Sequence, residues 1–241
     1  MVAETELVFR DDPYARSCPT RIESAEPGAI RLSRTIFYPA GGGQPGDRGA
    51  ISVIGGQRFE IIDTLKGASE GDVVHVPAPD APLPPVGVDA LAEIDWARRH
   101  RHMRIHTCLH LLTAVVAAPV TGGQIAEDKG RLDFDLQDLP ITLDKDEIEA
   151  KLNALIQGGA RAAPRWITDE ELSRQPELVK TMLVKPPMGQ GRVRLMEIEG
   201  IDRQPCGGTH VVNVGEIGPV KVLKIESKGK RNRRVIIGFA A

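Results

Sequence analysis

Two pairs of potential metal ligands stand out in the sequence. His106 and His110 lie four residues apart in "HTCLH", and a helix would place both imidazoles on one face. Cys206 and His210 have the same separation in "CGGTH", where the glycines remove side chains at a point where the chain must fold back. Three imidazoles and a thiolate suit zinc better than magnesium or calcium. We therefore predict that Zn²⁺ is bound by these four residues.

The helix that carries the first pair lacks a general base. No glutamate follows His106, so the His-Glu-x-x-His pattern of zinc hydrolases is absent. Four protein ligands normally close a zinc site, whereas a catalytic zinc keeps a position for water or substrate. Two mechanisms therefore stay open: one ligand is loose and zinc activates the attacking water, or zinc positions the substrate and a separate water attacks. Glu127 and Asp128 are candidate acid–base groups.

The composition is that of a globular protein. The chain has 241 residues, of which 41% are hydrophobic and 27% charged, which is typical of soluble domains. The sequence shows no signal-peptide pattern and no apolar run long enough to cross a bilayer, so we expect no membrane association. Three cysteines form an odd and sparse set, which argues against a disulfide framework and for a cytoplasmic protein.

The ligand pairs must be positioned by a larger framework, which we predict to be α+β with two domains. Residues 1–94 contain short β-forming runs separated by glycine- and proline-rich turns, which predict a small β-barrel or, alternatively, a sandwich. Residues 95–241 are predicted to form an α+β domain with helices packed on an antiparallel sheet. The six strands predicted in the first domain span residues 5–10, 29–33, 49–54, 58–65, 72–76 and 88–94.

The apolar periodicity of the second domain predicts a helix from Trp96 to about Ala118, ended by Pro119. Two further helices are indicated by capping residues, Asp144 and Thr168, each followed three residues later by glutamate. Strands are predicted over residues 131–136, 191–200, 220–229 and 233–240, the last three of them paired.

Four segments carry a resemblance to a known family. "HTCLHLL", "CGGTHV" about a hundred residues later, "GGQIAEDKGRLDFDL" between them and "YPAGGGQPGDRG" in the first domain resemble the editing domain shared by alanyl- and threonyl-tRNA synthetases and the free-standing AlaX proteins. The resemblance covers the full chain without an aminoacylation domain, as in the longer AlaX type. It implies zinc-dependent hydrolysis of mischarged Ser-tRNA(Ala), and also of Gly-tRNA(Ala), with tRNA(Ala) as partner. No stable protein partner is indicated.

An editing site of this kind must recognise serine. A pocket shaped for alanine cannot strongly reject glycine or serine, so a second hydrolytic site has to remove the errors. That site should bind the serine hydroxyl through hydrogen bonds that alanine would leave unmade. The residue before the second histidine, often threonine in the synthetase domain, is Leu109 here. Our candidates for reading the hydroxyl are Thr107, Gln44 and Gln124.

Two basic segments could attract the tRNA backbone. Phosphate contacts from lysine and arginine give salt-sensitive affinity that is largely independent of sequence. Aromatic residues make up only 4% of the chain, so base stacking is expected to be minor. The candidate RNA-binding residues are Arg98, Arg99, Arg101 and Arg104 upstream of the ligands, and Lys228, Lys230, Arg231, Arg233 and Arg234 near the C-terminus.

Two other functions fit the same ligand pairs. A zinc-stabilised RNA-binding module without catalysis would unfold on chelation and bind tRNA without turnover. A zinc hydrolase of small esters or amides would act without tRNA and show no salt dependence from phosphate contacts.

Overall fold

The computed structural model describes residues 5–69, 71–137, 142–182 and 191–240. The chain divides into two compact units, Met1–His100 and Arg101–Ala241. Fifteen strands and three α-helices lie within the described residues, which confirms the α+β class.

The first unit contains a closed antiparallel barrel. Six strands form it, β2 (Ser17–Glu26), β3 (Ala29–Leu32), β5 (Gly49–Val53), β6 (Arg58–Lys66), β7 (Val73–Pro77) and β8 (Asp89–Ile94). They follow the order β2-β3-β7-β6-β5-β8 around the barrel, and inward-facing aliphatic residues such as Ile22, Ile51 and Ile61 fill its core. Two short strands, β1 (Glu6–Leu7) and β4 (Arg34–Thr35), pair in parallel.

Five of the six strands predicted for this region are barrel strands. The prediction over residues 5–10 is wrong beyond β1, because Val8–Arg10 forms a 3-10 helix. The prediction also missed β2, although its buried positions alternate through Cys18, Thr20 and Ile22. A threonine at one buried position, together with Pro19 between them, obscured the period-2 signal on which strand prediction depends.

Helix α1 (Trp96–Val116) carries the first ligand pair. Its apolar positions are buried as predicted, and so are the polar residues His102, Thr107 and Thr113. The helix ends two residues earlier than predicted, because Ala117 adopts a φ of 49°, outside the helical region. Among the described residues, no helix is both long and apolar enough to cross a membrane.

A four-stranded sheet in the second unit has the order β14-β15-β10-β9. Helix α2 (Lys145–Gln157) packs on it, and its Asp144 cap accepts a hydrogen bond from the Glu147 amide, as predicted. The predicted pairing of the last two strands is confirmed. The strands are β9 (Val120–Ile125), β10 (Lys129–Asp135), β14 (Val220–Lys228) and β15 (Asn232–Phe239).

A separate three-stranded antiparallel sheet contains β11 (Ala162–Thr168), β12 (Arg192–Ile198) and β13 (Asp202–Pro205). The prediction that residues 191–200 pair with the C-terminal strands is therefore wrong. A hydrophobic cluster of Ile167, Val193 and Leu195 covers one face of this sheet, together with residues of the short helix α3 (Asp169–Ser173) and of the 3-10 helix Pro176–Leu178. The opposite face carries the polar residues described next.

Candidate metal centre

Four side chains from distant parts of the sequence converge in the second unit. His106 and His110 come from α1, Cys206 follows the last residue of β13, and His210 lies four residues further on. One donor atom from each lies within 4.8 Å of the donor atoms of the other three. The structure thus brings together the two ligand pairs predicted from spacing.

The separations fit a small cation with short bonds. The Sγ atom of Cys206 lies 3.5 Å from Nε2 of His106 and 3.2 Å from Nε2 of His210. Zinc–nitrogen and zinc–sulfur bonds of roughly 2.0 to 2.3 Å give tetrahedral edges of about 3.3 to 3.7 Å. Three of the donor residues are buried and Cys206 is half-buried. The donor set therefore suits Zn²⁺, and the two separations at Cys206 are close to the edges expected for it.

A carboxylate orients one of the ligands. Oδ2 of Asp202 lies 2.9 Å from Nδ1 of His110, which leaves Nε2 of that ring as the metal-facing donor. Gln204 donates to the same carboxylate oxygen at 2.8 Å, and Lys180 pairs with the other oxygen. Such carboxylate–histidine contacts fix the tautomer and ring orientation of metal-binding histidines. Both oxygens of the Asp202 carboxylate are thus engaged, and one of them holds the His110 ring.

A threonine performs the same task for another ligand. The Thr107 hydroxyl donates to the Met103 carbonyl at 2.9 Å and lies 3.2 Å from Nδ1 of His210. It also accepts from the Val211 amide at 3.2 Å. Because the Thr107 hydroxyl is buried and engaged by these groups, the structure argues against its predicted role in reading serine. It orients His210 so that Nε2 faces Cys206.

Arg194 holds the loop between Cys206 and His210. Its Nη1 donates to the carbonyl of Cys206 at 2.7 Å and to that of Gly208 at 3.1 Å. The chain therefore turns around a buried guanidinium. A Cβ at Gly207 would meet no heavy atom within 4 Å, so the steric reason proposed for this glycine has no support.

The charges around the cluster favour the ligand forms. Burial raises the pKa of the Cys206 thiol, but the imidazoles of His106 and His210 outweigh it and hold the pKa well below its ordinary value. Burial also raises the pKa of Asp202, yet its hydrogen bonds with His110, Lys180 and Gln204 lower it to about 2. A thiolate near imidazoles is a ready cation ligand.

The other predicted substrate-site residues have partners or positions of their own. Gln44 is buried in the first unit, where its backbone closes a turn with Gly41. Gln124 is exposed on β9 and accepts from Arg131 at 3.2 Å. Asp128 is exposed and ion-paired with Arg101. None of the three is among the clustered donors, and their predicted roles stay predictions.

The helical arginines predicted to bind RNA have protein partners. Arg99 is fully buried and forms an ion pair with Asp47, which argues against an RNA-binding role because phosphate cannot reach it. The guanidinium of Arg98 donates to the Gly46 carbonyl at 2.7 Å. Arg104 donates to the Ile217 carbonyl at 2.6 Å and stacks 4.0 Å from the Phe239 ring centre.

The C-terminal basic residues are partly neutralised. Lys230 is exposed at the tip of the β14–β15 hairpin, while Arg233 donates to the Ser227 hydroxyl at 3.3 Å. Three others pair with acids, Lys228 with Glu226, Arg231 with Asp135 and Arg234 with Asp133.

Sequence reasoning missed Asp202, Gln204, Lys180 and Arg194. A signal for two of them was available, since Asp202, Gln204 and Cys206 alternate along the chain, and alternate residues of a strand share one face. Lys180 and Arg194 carry no such signal, because only the sheet and the loop packed against it place them at the site.

The chain is similar to known tRNA-editing proteins and to alanine–tRNA ligases. Residues 193–236 match the family model "Threonyl and Alanyl tRNA synthetase second additional domain". The alanyl-tRNA editing protein AlaX-M of Methanosarcina acetivorans is 36% identical over 248 residues, covering 96% of this chain and 97% of that protein. AlaX-M of Saccharolobus solfataricus is 32% identical, with 96% and 97% covered. The alanine–tRNA ligase of Aeropyrum pernix is 35% identical over 91% of this chain but 24% of the ligase.

Proposed function

Because this chain belongs to the alanyl-tRNA editing proteins of the AlaX-M type, we propose that it hydrolyses the ester of mischarged Ser-tRNA(Ala), with Gly-tRNA(Ala) as a second substrate. The observation that carries the proposal is the convergence of His106, His110, Cys206 and His210 within 4.8 Å. We assign the activity to residues 95–241, which hold all four ligands, and place the protein in the cytoplasm.

The proposed reaction is simple in its balance. Water adds to the carbonyl of the aminoacyl ester, the bond to the ribose oxygen breaks, and the leaving oxygen takes up a proton. The products are free serine and tRNA with a free terminal hydroxyl. Aminoacyl esters are already activated, so a dedicated glutamate base on α1 is not required, and the neighbouring ribose hydroxyl can assist.

Zn²⁺ held by these residues would act as a Lewis acid near the ester carbonyl or orient the substrate. Other residues of the chain orient the ligands for metal binding. Asp202 and Thr107 hold the rings of His110 and His210 so that their Nε2 atoms face Cys206. Arg194 holds the Cys206 and Gly208 carbonyls, which keeps the ligand loop closed against β12. The ligand geometry is therefore set before substrate binds.

Deacylation assays on Ser-, Gly- and Ala-tRNA(Ala), run side by side, test the proposal. We expect release of serine and of glycine, with Ala-tRNA(Ala) spared. Cys206→Ala should abolish the activity and lower zinc content, whereas Cys18→Ala, a buried cysteine of the barrel, should keep both. Equal activity of the Cys206 variant and wild type would refute the ligand assignment, and inactivity of the wild type would refute the function.

The same samples separate the two other functions. Chelation that unfolds the protein, together with tRNA binding but no turnover, would identify a zinc-stabilised RNA-binding module. Hydrolysis of small serine esters as fast as the tRNA ester, with no dependence on salt, would identify a small-ester hydrolase. For tRNA binding itself we propose Lys228, Lys230 and Arg233 as phosphate contacts.

A further inference from the structure

A large aromatic side chain is exposed on the sheet that leads to Cys206. Trp166 lies in β11 and is 46% exposed, and it is one of only two tryptophans in the chain. Tryptophan is among the residues least suited to open contact with water, because its side chain has a large apolar surface. An indole held on the outside of a regular strand is therefore a candidate binding surface.

The strand register places Trp166 on the same face as the metal ligands. Its direct partner on β12 is Arg194, and directly opposed residues of an antiparallel pair share one face. The Cys206 amide in turn donates to the Arg194 carbonyl at 3.1 Å, which extends the row to the third strand. The other face of the sheet carries the cluster of Ile167, Val193 and Leu195.

The side-chain contacts agree with this assignment of faces. Asp202 and Gln204, which alternate with Cys206 along the chain, both contact His110. Arg194 reaches the Cys206 carbonyl from the middle strand. Trp166, Arg194 and Cys206 thus form a row across three strands, with the outer two about 10 Å apart at the backbone. That separation is comparable to the length of a nucleoside.

A cation accompanies the indole. The guanidinium of Arg192 lies 5.7 Å from the Trp166 ring centre, and Arg192 makes no ion pair with any residue that the structure describes. An aromatic platform beside a cation is the combination that binds single-stranded nucleic acid, where the ring stacks on a base and the cation meets the phosphate. A small apolar ligand would make no ionic contact with the guanidinium of Arg192.

We propose that Trp166 stacks on the 3′-terminal base of the tRNA while the ester on the same nucleoside lies at the metal centre, and that Arg192 meets the adjoining phosphate. The inference rests on the proposed deacylase function, because only an acylated terminal ribose fixes the base within one nucleoside of the ligands. Stacking needs no particular base edge, so this contact serves the invariant end of the substrate and does not select tRNA(Ala). Base stacking can therefore contribute to tRNA binding through this one tryptophan, although aromatic residues are few in the chain.

Fluorescence tests the contact without any turnover. In a Trp96→Phe protein, Trp166 is the sole tryptophan, and titration with an unacylated oligoribonucleotide ending in CCA should quench its emission to saturation. The same oligonucleotide with an abasic 3′ end should quench little, since its phosphates remain and its terminal base is gone. Equal quenching by both would overturn the stacking assignment, as would no quenching by either.

Kinetics provides the second arm. Trp166→Ala should raise KM for Ser-tRNA(Ala) about 5- to 150-fold, the range expected for loss of one stacked base, while Trp166→Phe should stay within a few-fold of wild type. Leu223→Ala, which removes another side chain of 46% exposure, should leave KM unchanged. An active wild type with an equally active Trp166→Ala variant would overturn this inference alone. An inactive wild type would overturn the proposed function, and its quenching result would then decide the contact.

A second copy of the chain is the competing occupant of this surface. If it covers Trp166, the alanine variant will sediment as a smaller species than wild type, and the oligonucleotide will not quench. That pair of results would also overturn the proposal.

Discussion

Asp202 and His110 form a buried carboxylate–imidazole pair, with Oδ2 and Nδ1 2.9 Å apart and neither side chain open to solvent. The pair joins the three-stranded sheet to helix α1 at the ligand cluster. The effect of this pair is to determine which nitrogen of His110 is available to a cation. With Nδ1 engaged by the carboxylate, only Nε2 of His110 can bind a cation.

Replacing Asp202 by asparagine should weaken zinc binding about 10- to 100-fold, because outer carboxylates fix ligand orientation and raise ligand basicity. Competition with a chromophoric chelator measures the affinity directly. Asp128→Asn is the matched control, since Asp128 is exposed and pairs with Arg101. An unchanged affinity in the Asp202 variant would show that the carboxylate has no influence on the ligand.

The hydroxyl of Thr107 should matter for both stability and metal binding. Thr107→Val keeps the shape but leaves Nδ1 of His210 and the Val211 amide without their partner, at a cost of about 1–3 kcal/mol for the buried groups. Thr107→Ser retains the hydroxyl and should recover most of the loss. Denaturant unfolding and chelator competition on the three proteins measure the two effects. If Thr107→Val instead loses discrimination between serine and alanine with unchanged stability, the positioning role is wrong.

The buried pair of Arg99 and Asp47 should be structural. Arg99→Met leaves the Asp47 carboxylate buried without its cation, and such losses cost roughly 3–5 kcal/mol. Arg99→Met combined with Asp47→Leu should recover much of that, since an apolar pair can replace a buried ion pair. Urea unfolding of the single and double variants tests this. A stable Arg99→Met protein with weakened, less salt-dependent tRNA binding would restore the RNA-binding role predicted from sequence.

His75 should make the protein less stable in mild acid. The ring is buried between the Thr35 hydroxyl at 2.8 Å and the Ile30 carbonyl at 3.0 Å, and burial lowers its pKa to about 4. Between pH 6.5 and 4 the unfolded chain binds a proton that the folded protein excludes. The free energy of unfolding therefore decreases as the pH is lowered through this range, by up to about 3 kcal/mol.

Below pH 4 both states carry the proton and this contribution stops changing. His75→Gln removes the titrating group and keeps polar atoms at the site. Its free energy of unfolding should therefore fall less between pH 7 and pH 4.5 than that of wild type, as measured by urea titration at the two values. Parallel pH profiles for the two proteins would rule out His75 as the source.

The parts of the molecule that sequence reasoning predicted are those with local signals. The ligand pairs at i and i+4, the Asp144 cap and the C-terminal hairpin each follow from residues close together in the chain. The structural roles of Thr107 and Arg99 could not be predicted from their sequence neighbours. Thr107 is occupied by His210 and Val211, over a hundred residues away, and Arg99 is buried by Asp47, Ile36 and Pro13.

Strand prediction failed for a related reason. Strands β9 and β11 contain glycine pairs or proline, as in "VTGGQI" and "AAPRWIT", which intrinsic β-propensity disfavours. They are strands because β10 and β12 offer them partners. Trp166 is the clearest example of a position set by strand pairing. Its place on the face of the sheet that leads to Cys206 depends on a register that pairs it with Arg194, 28 positions later in the chain.

Helix α1 crosses the boundary between the two compact units, which falls after His100 inside its second turn. The junction is thus a stretch of hydrogen-bonded helix, with no exposed loop of the kind that proteases cut first. Limited digestion should spare this point and begin at loops elsewhere, so the two halves will not be obtained as separate fragments by nicking between them.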